Sequence, residues 1–332
     1  MKRIGLVSGA AVSLIAGSAF VAPSAFAADQ LPNGYTAKVV AHSGQTIRGA
    51  VDATGYDVGI YIGPGVHDVR VIGATVTGAN DEGILVQDAY NVLIEHSTVK
   101  GNTAHPTNAD LEELKGIVLA GTRHVVVAHN TVEYNGDGGI GVYDDGPNSP
   151  STFAPVAIDA TPVPSRGNVV FGNLVKDNRA GCGIVVAAKN PNSGGVNDNV
   201  VAFNRVLTDP PDSYGAPFIG GIVIAGGEFR QGMAVTNNVF WHNTITGGLI
   251  PGISIHGSND AQITGTRLIG NVMSNNGAGT GVQITPAGAT VNDTKVLYDR
   301  VSDDVYGVFH TGDTNTEIAH LHTSNVTYPV GP

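Results

Sequence analysis

Charged and imidazole side chains recur in this sequence at one repeated position, directly after short runs of the form Gly-Ile-x-Val. They are Asp88, Asp144, Asp145, Lys189, Glu228, Arg230 and His256. Aromatic side chains that can stack on sugar rings lie in or beside the same segments: Tyr143, Phe153, Tyr214 and Phe229. Carboxyl, amine and imidazole groups transfer protons in enzymes. The set therefore predicts a groove for a carbohydrate, with His256 and the four aromatic residues contacting the substrate.

Two kinds of polysaccharide cleavage fit these residue types. β-Elimination at a uronic acid residue requires a cation that neutralises the carboxylate and a base that removes the adjacent proton. Asp88, Asp144 and Asp145 offer hard oxygen ligands and predict a Ca²⁺ site for that role. Hydrolysis of a glycosidic bond uses two carboxyl groups instead, and Asp144 or Asp145 together with Glu228 would supply them.

Histidines form a further candidate site. His96, His129, His242 and His320 share one repeat position, and neutral imidazole is a common ligand of Zn²⁺ or Cu²⁺. Gly172 and Phe203 occupy the same position in the coils between His129 and His242, so that at most two of these imidazoles stack directly. The alternative is that the histidines point outward on a turn without binding a metal.

A repeat that runs through most of the chain must position these side chains. Its first residue is a glycine followed by Ile or Val, and the members of the row are Gly59, Gly83, Gly116, Gly139, Gly183, Gly221, Gly252, Gly281 and Gly307. Alternating β-branched residues follow each glycine, which is typical of a strand. Successive members are 23 to 44 residues apart, as expected for one supersecondary unit with loop insertions.

Asparagines form a second row in the same register. Asn130, Asn173, Asn204, Asn243 and Asn271 share one position, with Ser97 before them and Asp299 after them. A shorter row consists of Asn102, Asn135, Asn178 and Asn276. Stacked Asn side chains can hydrogen-bond to one another and to the backbone of a tight turn. The rows therefore predict stacked coils with an asparagine at the same corner of each coil.

Three short strands per turn, inward aliphatic rows and asparagine corners resemble the pectate-lyase-like superfamily. The resemblance covers residues 45–325 and implies an all-β, right-handed parallel β-helix of about ten coils. For β-helix lyases it implies that Lys189 or Arg230 is the base. The Asp144-Asp145 pair is similar to that of β-helix polygalacturonases, although neither their Gly-His-Gly motif nor their Arg-x-Lys motif occurs at a matching place.

Five insertions between the second and seventh coils are predicted to wall one side of the middle of the rod. They span residues 103–115, 143–167, 187–198, 208–220 and 225–233. Three of them leave the same corner after the Gly-Ile-x-Val strand. Because loops on a rigid scaffold carry most functional sites, we expect the substrate groove there. Residues 311–332 are expected to close the last coil with irregular chain.

Composition and the N-terminal segment predict the location and the partners of the protein. Residues 1–27 read as a secretory signal peptide, with Ala25-Phe26-Ala27 as the cleavage site, and residues 28–332 read as a single extracellular domain. The formal net charge of −11 argues against nucleic acid and anionic membranes as partners. The one cysteine, Cys182, excludes an internal disulfide and is expected to be a buried, unreactive thiol.

The sequence therefore predicts a secreted, monomeric, carbohydrate-active enzyme that cleaves a polysaccharide. We place a lyase ahead of a hydrolase, because a groove with both acidic and basic groups suits elimination. The negative net charge of the protein is an argument in the other direction, since it favours a neutral glycan as the substrate. The alternative of a different class is a non-catalytic glycan-binding or surface protein. Ca²⁺ is the cofactor predicted for the lyase.

Overall fold

The computed structural model describes residues 29–31, 35–103, 115–146, 162–179, 181–207, 221–227 and 233–332. The predicted signal peptide and most of the predicted insertions lie outside these residues. The described chain consists of short strands and one 3₁₀ turn at Gly277–Gly279. No helix within the described ranges has the length and apolar character needed to cross a membrane.

The strands follow one another at intervals of a few residues along the chain. They are β1 (Asp29–Gln30), β2 (Thr36–Val40), β3 (Thr46–Asp52), β4 (Val58–Ile62), β5 (Arg70–Thr77), β6 (Ile84–Gln87), β7 (Leu93–Glu95), β8 (Thr98–Lys100), β9 (Lys115–Ala120), β10 (Val126–Ala128), β11 (Thr131–Glu133), β12 (Gly138–Tyr143), β13 (Ser165–Arg166), β14 (Val169–Phe171), β15 (Leu174–Lys176), β16 (Ile184–Ala188), β17 (Val196–Asn197), β18 (Val200–Ala202), β19 (Arg205–Leu207), β20 (Ile222–Gly226), β21 (Ala234–Thr236), β22 (Val239–Trp241), β23 (Thr244–Thr246), β24 (Ile253–Gly257), β25 (Gln262–Thr264), β26 (Arg267–Ile269), β27 (Val272–Ser274), β28 (Thr280–Thr285), β29 (Thr290–Asn292), β30 (Lys295–Leu297), β31 (Arg300–Ser302), β32 (Tyr306–His310), β33 (Glu317–Ala319), β34 (His322–Ser324) and β35 (Tyr328–Gly331).

The first sheet contains one strand from each coil, in the order β1-β2-β4-β6-β9-β12-β16-β20-β24-β28-β32-β35. All of its pairs are parallel except β1 with β2. Its register aligns Ile60, Ile84, Ile117 and the equivalent residue of each later coil. This alignment confirms the repeat predicted from the Gly-Ile rows and the parallel solenoid built from it.

The second sheet has two parallel strips, and the third sheet is short. One strip contains β7, β10, β14, β18, β22, β26, β30 and β33, and the other contains β8, β11, β15, β19, β23, β27, β31 and β34, while the long strands β3 and β5 span both. The third sheet is β13-β17-β21-β25-β29. The five coils that begin with β12, β16, β20, β24 and β28 therefore have a fourth short strand, where the sequence predicted three strands per turn.

Inward-pointing aliphatic rows form one continuous core along the rod, from Val39 to Val308. The glycine that opens each unit lies at a close contact between sheets. A Cβ at Gly59 would come within 2.5 Å of Val76 Cγ1 and 2.4 Å of the Gly83 carbonyl oxygen. Any larger residue at this position would push neighbouring coils apart, which explains why glycine recurs there.

Asparagine ladders line the corners of the core. In the main ladder Asn130, Asn173, Asn204 and Asn243 each donate from Nδ2 to the Oδ1 of the next asparagine at 3.0 Å, and Asn271 donates in the same way to Asp299 at 3.1 Å. The shorter predicted ladder is also present, since Asn102 donates to Asn135 and Asn135 to Asn178. Each rung satisfies buried backbone groups that a tight turn would otherwise leave unpaired.

A third ladder was not predicted. Asn168 donates its backbone N–H to Asn199, and Asn199 donates to Asn238, at the corner between the third and second sheets. These asparagines fix the extra corner that separates the fourth strand of each coil from the next strand. The dipeptide Asn-Val at 168, 199 and 238 is the sequence signal for this row.

The expectation that residues 311–332 are irregular is wrong. They form a further coil with β33, β34 and β35, which pair in parallel with β30, β31 and β32. The Gly-Ile-x-Val signature is missing because Pro329 stands at the position of the opening glycine. Proline has no backbone N–H, and it is tolerated there because β35 is an edge strand, in which the N–H groups on the outer side have no neighbouring strand to donate to.

Candidate functional site

A groove of about 450 Å³ lies on the outer face of the first sheet, over β12, β16, β20, β24 and β28. Two outward rows form its floor. One row aligns Val185, Val223, Ser254 and Gln283, and the other aligns Tyr143, Ala187, Ala225 and His256. Because the strands are parallel and in register, chemistry-bearing residues from successive coils are brought side by side along the rod.

Lys115 and Asp137 form an ion pair at one end of the groove. Lys115 pairs in register with Gly138, so that Asp137 precedes the neighbouring strand by one residue. Lys115 is 2% exposed and the Asp137 side chain 19%. Burial raises the pKa of the Asp137 carboxyl above its usual range, and the positive charges of Lys115 and Lys189 oppose that rise. Among the described residues that line the groove, Lys115 and Lys189 thus provide the amine groups and Asp137 the carboxyl group.

Lys189 is positioned by Asp144. The Oδ1 atom of Asp144 accepts a hydrogen bond from the Lys189 backbone N–H at 2.6 Å, and its Oδ2 accepts from Asn190 N at 3.1 Å. The Ser193 hydroxyl donates to the same carboxylate. Asp144 is therefore a buried acceptor that holds residues 189–193, while the Lys189 side chain lines the groove.

His256 and Tyr143 complete the polar part of the groove. The Ser254 hydroxyl lies 3.1 Å from Nδ1 of His256, and both residues line the groove. The Tyr143 ring folds back over Gly141, where a Cβ would come within 2.3 Å of Tyr143 Cε2. Glycine at position 141 therefore provides the room in which the Tyr143 ring lies against the sheet.

A second cluster of polar groups lies at the corner after the first sheet, with Asp88 and Asp145 on either side of Gly121. A Cβ at Gly121 would come within 2.2 Å of Asp88 Oδ1 and 2.9 Å of Asp145 Cβ. Gln87 donates to Asp145 Oδ2 at 2.8 Å and accepts from the Tyr61 hydroxyl at 3.0 Å. The side chain missing at Gly121 lets the two carboxyl groups approach each other across one coil.

Burial and mutual repulsion shift the titration of this corner cluster. Burial, and then the charge of Asp145, raise the pKa of Asp88 to about 7. Burial also raises the pKa of Asp145, against the lowering effect of its hydrogen bonds from Gln87 and Gly146. The pKa of the Tyr61 hydroxyl is raised by burial and by both carboxylates. Near pH 7 the pair can therefore hold a proton.

The three aspartates predicted to bind Ca²⁺ divide into two groups. Asp88 and Asp145 are brought together, whereas Asp144 is bonded to residues 189–193. Within the described ranges no group of three His, Cys, Asp or Glu residues is arranged to hold a metal ion. Asp88 Oδ1 is buried and lacks a hydrogen-bond partner, so the pair retains acceptor capacity, and Ca²⁺ binding there stays a prediction.

The predicted histidine row has the expected stacking order. His96 and His129 stack with ring centroids 5.4 Å apart and an angle of 12°. Phe203 separates this pair from His242, whose ring centroid lies 5.3 Å from that of Phe203. His320 stacks on Tyr298 instead. The row is thus a mixed ladder of imidazole and aromatic rings at an outer corner.

Several predicted site residues lie outside the described residues: Phe153, Tyr214, Glu228, Phe229 and Arg230. Of the others, the groove brings together Tyr143, Lys189 and His256. Sequence reasoning missed Lys115 and Asp137, which precede their strands rather than follow them. Lys115 lies one residue before Gly116 and Asp137 lies two residues before Gly139. Because these two glycines align on adjacent coils, the sequence could have placed Lys115 and Asp137 side by side. Cys182 is half-buried and borders the groove, so its expected full burial is wrong.

Comparisons with known proteins agree with this architecture. A family model described as a right-handed β-helix region matches residues 8–153 and 46–240. A comparison with curated proteins gives no match. The surface adhesin PfbA of Streptococcus pneumoniae has a similar structure, with 10% identity, a TM-score of 0.59, and coverage of 91% of this chain and 76% of the adhesin.

Two further solved structures share the fold. The periplasmic alginate epimerase AlgG has 15% identity and a TM-score of 0.57, with 90% of this chain and 64% of AlgG covered. The catalytic domain of a GH87 α-1,3-glucanase, solved with tetrasaccharides, has 13% identity and a TM-score of 0.58, with 90% and 56% covered. This chain thus spans less than two thirds of either protein. The predicted parallel β-helix is confirmed, and the chain belongs to the right-handed β-helix family.

Proposed function

We propose that this protein is an extracellular carbohydrate-active enzyme that cleaves a uronate-containing polysaccharide by β-elimination in the groove of the first sheet. The observation that carries the proposal is that Lys115, Lys189, Tyr143 and His256 line one open groove whose floor is apolar in part, at Val185, Ala187, Val223 and Ala225. Elimination needs a positive charge near the uronate carboxylate, a base for the adjacent proton and a proton for the leaving oxygen. The groove offers a group for each task.

Lys189 is assigned, in its neutral amine form, to remove the proton at C5 of the uronate, which the amine then carries as an ammonium ion. The electron pair of that C–H bond forms the double bond between C4 and C5, and the bond between C4 and the glycosidic oxygen breaks. His256, in its protonated form, gives a proton to the leaving oxygen; its imidazole lies in one of the two rows that form the floor of the groove. The Asp144 carboxylate acts indirectly, by holding the backbone of Lys189.

Lys115 is assigned to neutralise the negative charge of the uronate carboxylate. Its ammonium group lines the groove and forms the ion pair with Asp137, and a charge in a water-poor site acts strongly on a developing anion. The half of the floor formed by Val185 and Val223 gives the sugar ring an apolar contact. A Ca²⁺ ion at Asp88 and Asp145 remains a separate proposal for a second cation.

Proteins of similar fold support a carbohydrate substrate. One is named as an alginate epimerase, another as a mannuronan C-5 epimerase and a third as an α-1,3-glucanase. A change of configuration at C5 of a uronate removes the same proton that elimination removes, so a uronate groove is compatible with this fold. The adhesin is named as a surface protein and AlgG as periplasmic, which supports a location outside the cytoplasm.

Hydrolysis is the second candidate, and the corner pair Asp88 and Asp145 favours it. A glycosidase needs one carboxyl group that is protonated near its working pH and one that is ionised. A pKa of about 7 for Asp88 would supply the acid, with Asp145 as the partner. Hydrolysis would take place at the corner after the first sheet, whereas elimination would take place in the groove. Variants of one site should therefore leave the other reaction unaffected.

The test is incubation of the mature protein with neutral and uronate polysaccharides, with Ca²⁺ or with a chelator. Ultraviolet absorbance of the unsaturated product and reducing ends are followed together. For a lyase we expect both signals from a uronate polymer, and their loss by about a hundredfold or more in Lys189→Ala and His256→Ala, since general acid–base catalysis contributes roughly 10²–10⁴-fold. The exposed Lys100→Ala is the matched control and should behave as the unmodified protein.

Other outcomes assign other functions. Reducing ends without absorbance, lost in Asp88→Asn but kept in Lys189→Ala, would identify a hydrolase that uses the corner pair. Binding without any product on a broad panel would identify a non-catalytic glycan-binding protein. Full elimination activity in both groove variants would exclude the assigned residues even if the protein is a lyase.

A further inference from the structure

A stripe of uncharged side chains runs along the outer face of the second sheet, away from the groove. One column aligns across six successive coils: Ala128, Phe171, Ala202, Trp241, Ile269 and Leu297. Phe203 and Tyr298 flank this column at the adjoining corner. Trp241 and Phe203 are each 42% exposed, and Tyr298 is 54% exposed. We call these eight residues the aromatic stripe.

The rings in the middle of the stripe leave part of their faces open. Phe203 meets Trp241 at 66° with centroids 5.0 Å apart, and Phe171 meets Phe203 at 58° and 5.4 Å. By contrast, Tyr298 lies flat against His320 at 6°. Tilted rings cover one another less than parallel rings do. His242 also packs against Phe203 and Trp241, with ring centroids 5.3 and 5.2 Å away, yet both rings remain 42% exposed. Part of each ring is therefore available to a ligand that lies along the rod.

The stripe has the size of one extended chain. Six coils span five steps of about 4.8 Å each, or roughly 24 Å, and its width of a few residues is about 7–10 Å at ~3.3 Å per residue. The resulting area is on the order of 200 Å², well below the ~800 Å² that each partner of a standard protein interface buries. This area is too small for a stable contact between two copies of the rod.

Backbone pairing and charge narrow the choice of ligand further. Each strand under the stripe pairs on both sides, as β14 does with β10 and β18, so an extended peptide cannot add as another strand. No charged residue occupies the column between Ala128 and Leu297; Glu95 precedes it on β7, and Arg267 and Lys295 stand beside its last two members on β26 and β30. A ligand with apolar ring faces and no charge fits such a surface, since aromatic side chains with polar edges suit a half-wet contact.

We propose that the aromatic stripe binds a single chain of an uncharged polysaccharide, at a surface separate from the groove. The sugar rings stack on Phe171, Phe203 and Trp241, and the chain runs parallel to the axis of the rod. This surface holds the polymer and performs no chemistry. The proposal does not depend on the elimination reaction, because the stripe and the groove lie on different sheets.

Trp241 makes the proposal directly measurable, because it is the only tryptophan in the sequence. The protein is titrated with soluble uncharged polysaccharides (a β-1,3-glucan, a β-1,4-mannan, a xylan and dextran), with polygalacturonate as the charged comparison. We expect at least one uncharged polymer to give a saturable change in Trp241 fluorescence and to protect it from quenching by acrylamide. Polygalacturonate should give no such change.

Matched variants test whether the stripe is responsible. Phe203 and Tyr134 both have a positive φ, 56° and 57°, and are 42% and 44% exposed, but only Phe203 belongs to the stripe. Asparagine tolerates this conformation, so Phe203→Asn and Tyr134→Asn are comparable. Phe203→Asn should weaken binding by about tenfold, whereas Tyr134→Asn and Lys189→Ala should bind as the unmodified protein does.

Three results would overturn the proposal. The first is an unchanged Trp241 signal with every uncharged polymer at saturating concentration. The second is a concentration-dependent dimer in sedimentation velocity that Phe203→Asn abolishes, which would make the stripe a contact between two copies of this chain. The third is binding that persists unchanged in Phe203→Asn and Trp241→Ala, measured by affinity electrophoresis, which would place the glycan elsewhere.

Discussion

Asp144 Oδ1 accepts a hydrogen bond from the backbone N–H of Lys189 at 2.6 Å, between residues 45 positions apart in the sequence. With Asn190 and Ser193 as further donors, one buried carboxylate fixes the segment from which Lys189 reaches the groove. The acid that sequence reasoning placed among the catalytic groups thus has a structural task in the folded protein.

Asp144→Ala should therefore lower both stability and activity. The variant loses several hydrogen bonds to a charged acceptor, each contributing ~1.5–3 kcal/mol, and we expect about 3 kcal/mol less free energy of unfolding. Chemical denaturation followed by circular dichroism measures the loss. The exposed Asp260→Asn is the control and should change little. A stability loss below about 1 kcal/mol in Asp144→Ala would contradict the assigned role.

Lys115→Met tests the ion pair at the end of the groove. In the unmodified protein the charge of Lys115 lowers the pKa of Asp137 and so opposes the effect of burial. Without the ammonium group, the pKa of Asp137 should therefore rise further. The groove also loses one of its cations, and the rate of uronate cleavage should fall by about a hundredfold, the typical effect of removing one electrostatic group from an active site. Activity assays and carboxyl NMR titration measure the two effects. An unchanged Asp137 titration would mean that the pair does not persist in solution.

Asp299 makes stability depend on pH. Burial raises its pKa from 3.8 to about 7, and its Oδ2 is buried without a hydrogen-bond partner. Between these values the folded state holds a proton that the unfolded state has lost, so stability falls as pH rises from about 4 to about 7 and then levels off. An asparagine at position 299 would not titrate in this range, and its side-chain amide would add one more member to the main ladder.

Asp299→Asn should consequently stabilise the protein, and more at pH 8 than at pH 5. By the pattern of the ladder, its Nδ2 would donate to the Leu268 carbonyl, as Asn271 Nδ2 donates to that of Phe240. We expect a gain of about 1 kcal/mol at pH 8, the usual net value of one hydrogen bond. Thermal melts at both pH values measure it, with the exposed Asp293→Asn as control. An equal effect at both pH values would show that Asp299 is ionised throughout.

Asp145→Asn should lower the pKa of Asp88 from about 7, because the charge of Asp145 is one of the two causes of its elevation. Burial remains in the variant, so the pKa should stay above 3.8. Carboxyl-carbon NMR of the unmodified protein and the variant gives both midpoints. The same midpoint in both would mean that the two carboxyl groups do not interact across Gly121.

The fold could be predicted from the sequence because the same physical constraint repeats in every coil. Only glycine fits against Val76 and its equivalents, and at the main ladder each asparagine accepts from the preceding coil and donates to the next. Each constraint leaves a visible row. The last coil was missed because its edge strand is free of these constraints, and Pro329 could replace the glycine.

The candidate site was less predictable because strand register decides which side chains meet. Asp144 and Asp145 are adjacent in sequence, yet one bonds to residues 189–193 and the other faces Asp88 across Gly121. Lys115 and Asp137 are 22 residues apart and form an ion pair. No local motif marks such a pair, since it arises only when two coils stack.

Two asparagines on one coil donate to aspartates on the next: Asn271, the last asparagine of the main ladder, donates to Asp299, and Asn276 donates to Asp304. An aspartate accepts from the coil before it but, when ionised, has no side-chain donor to offer the coil after it. Leu321 and Val326 then stand at the next positions and pack against the core, and Pro329 removes a donor from the edge strand. The side-chain ladder therefore stops at Asp299, and the coil that follows offers a second chain fewer hydrogen-bond partners than the coils before it.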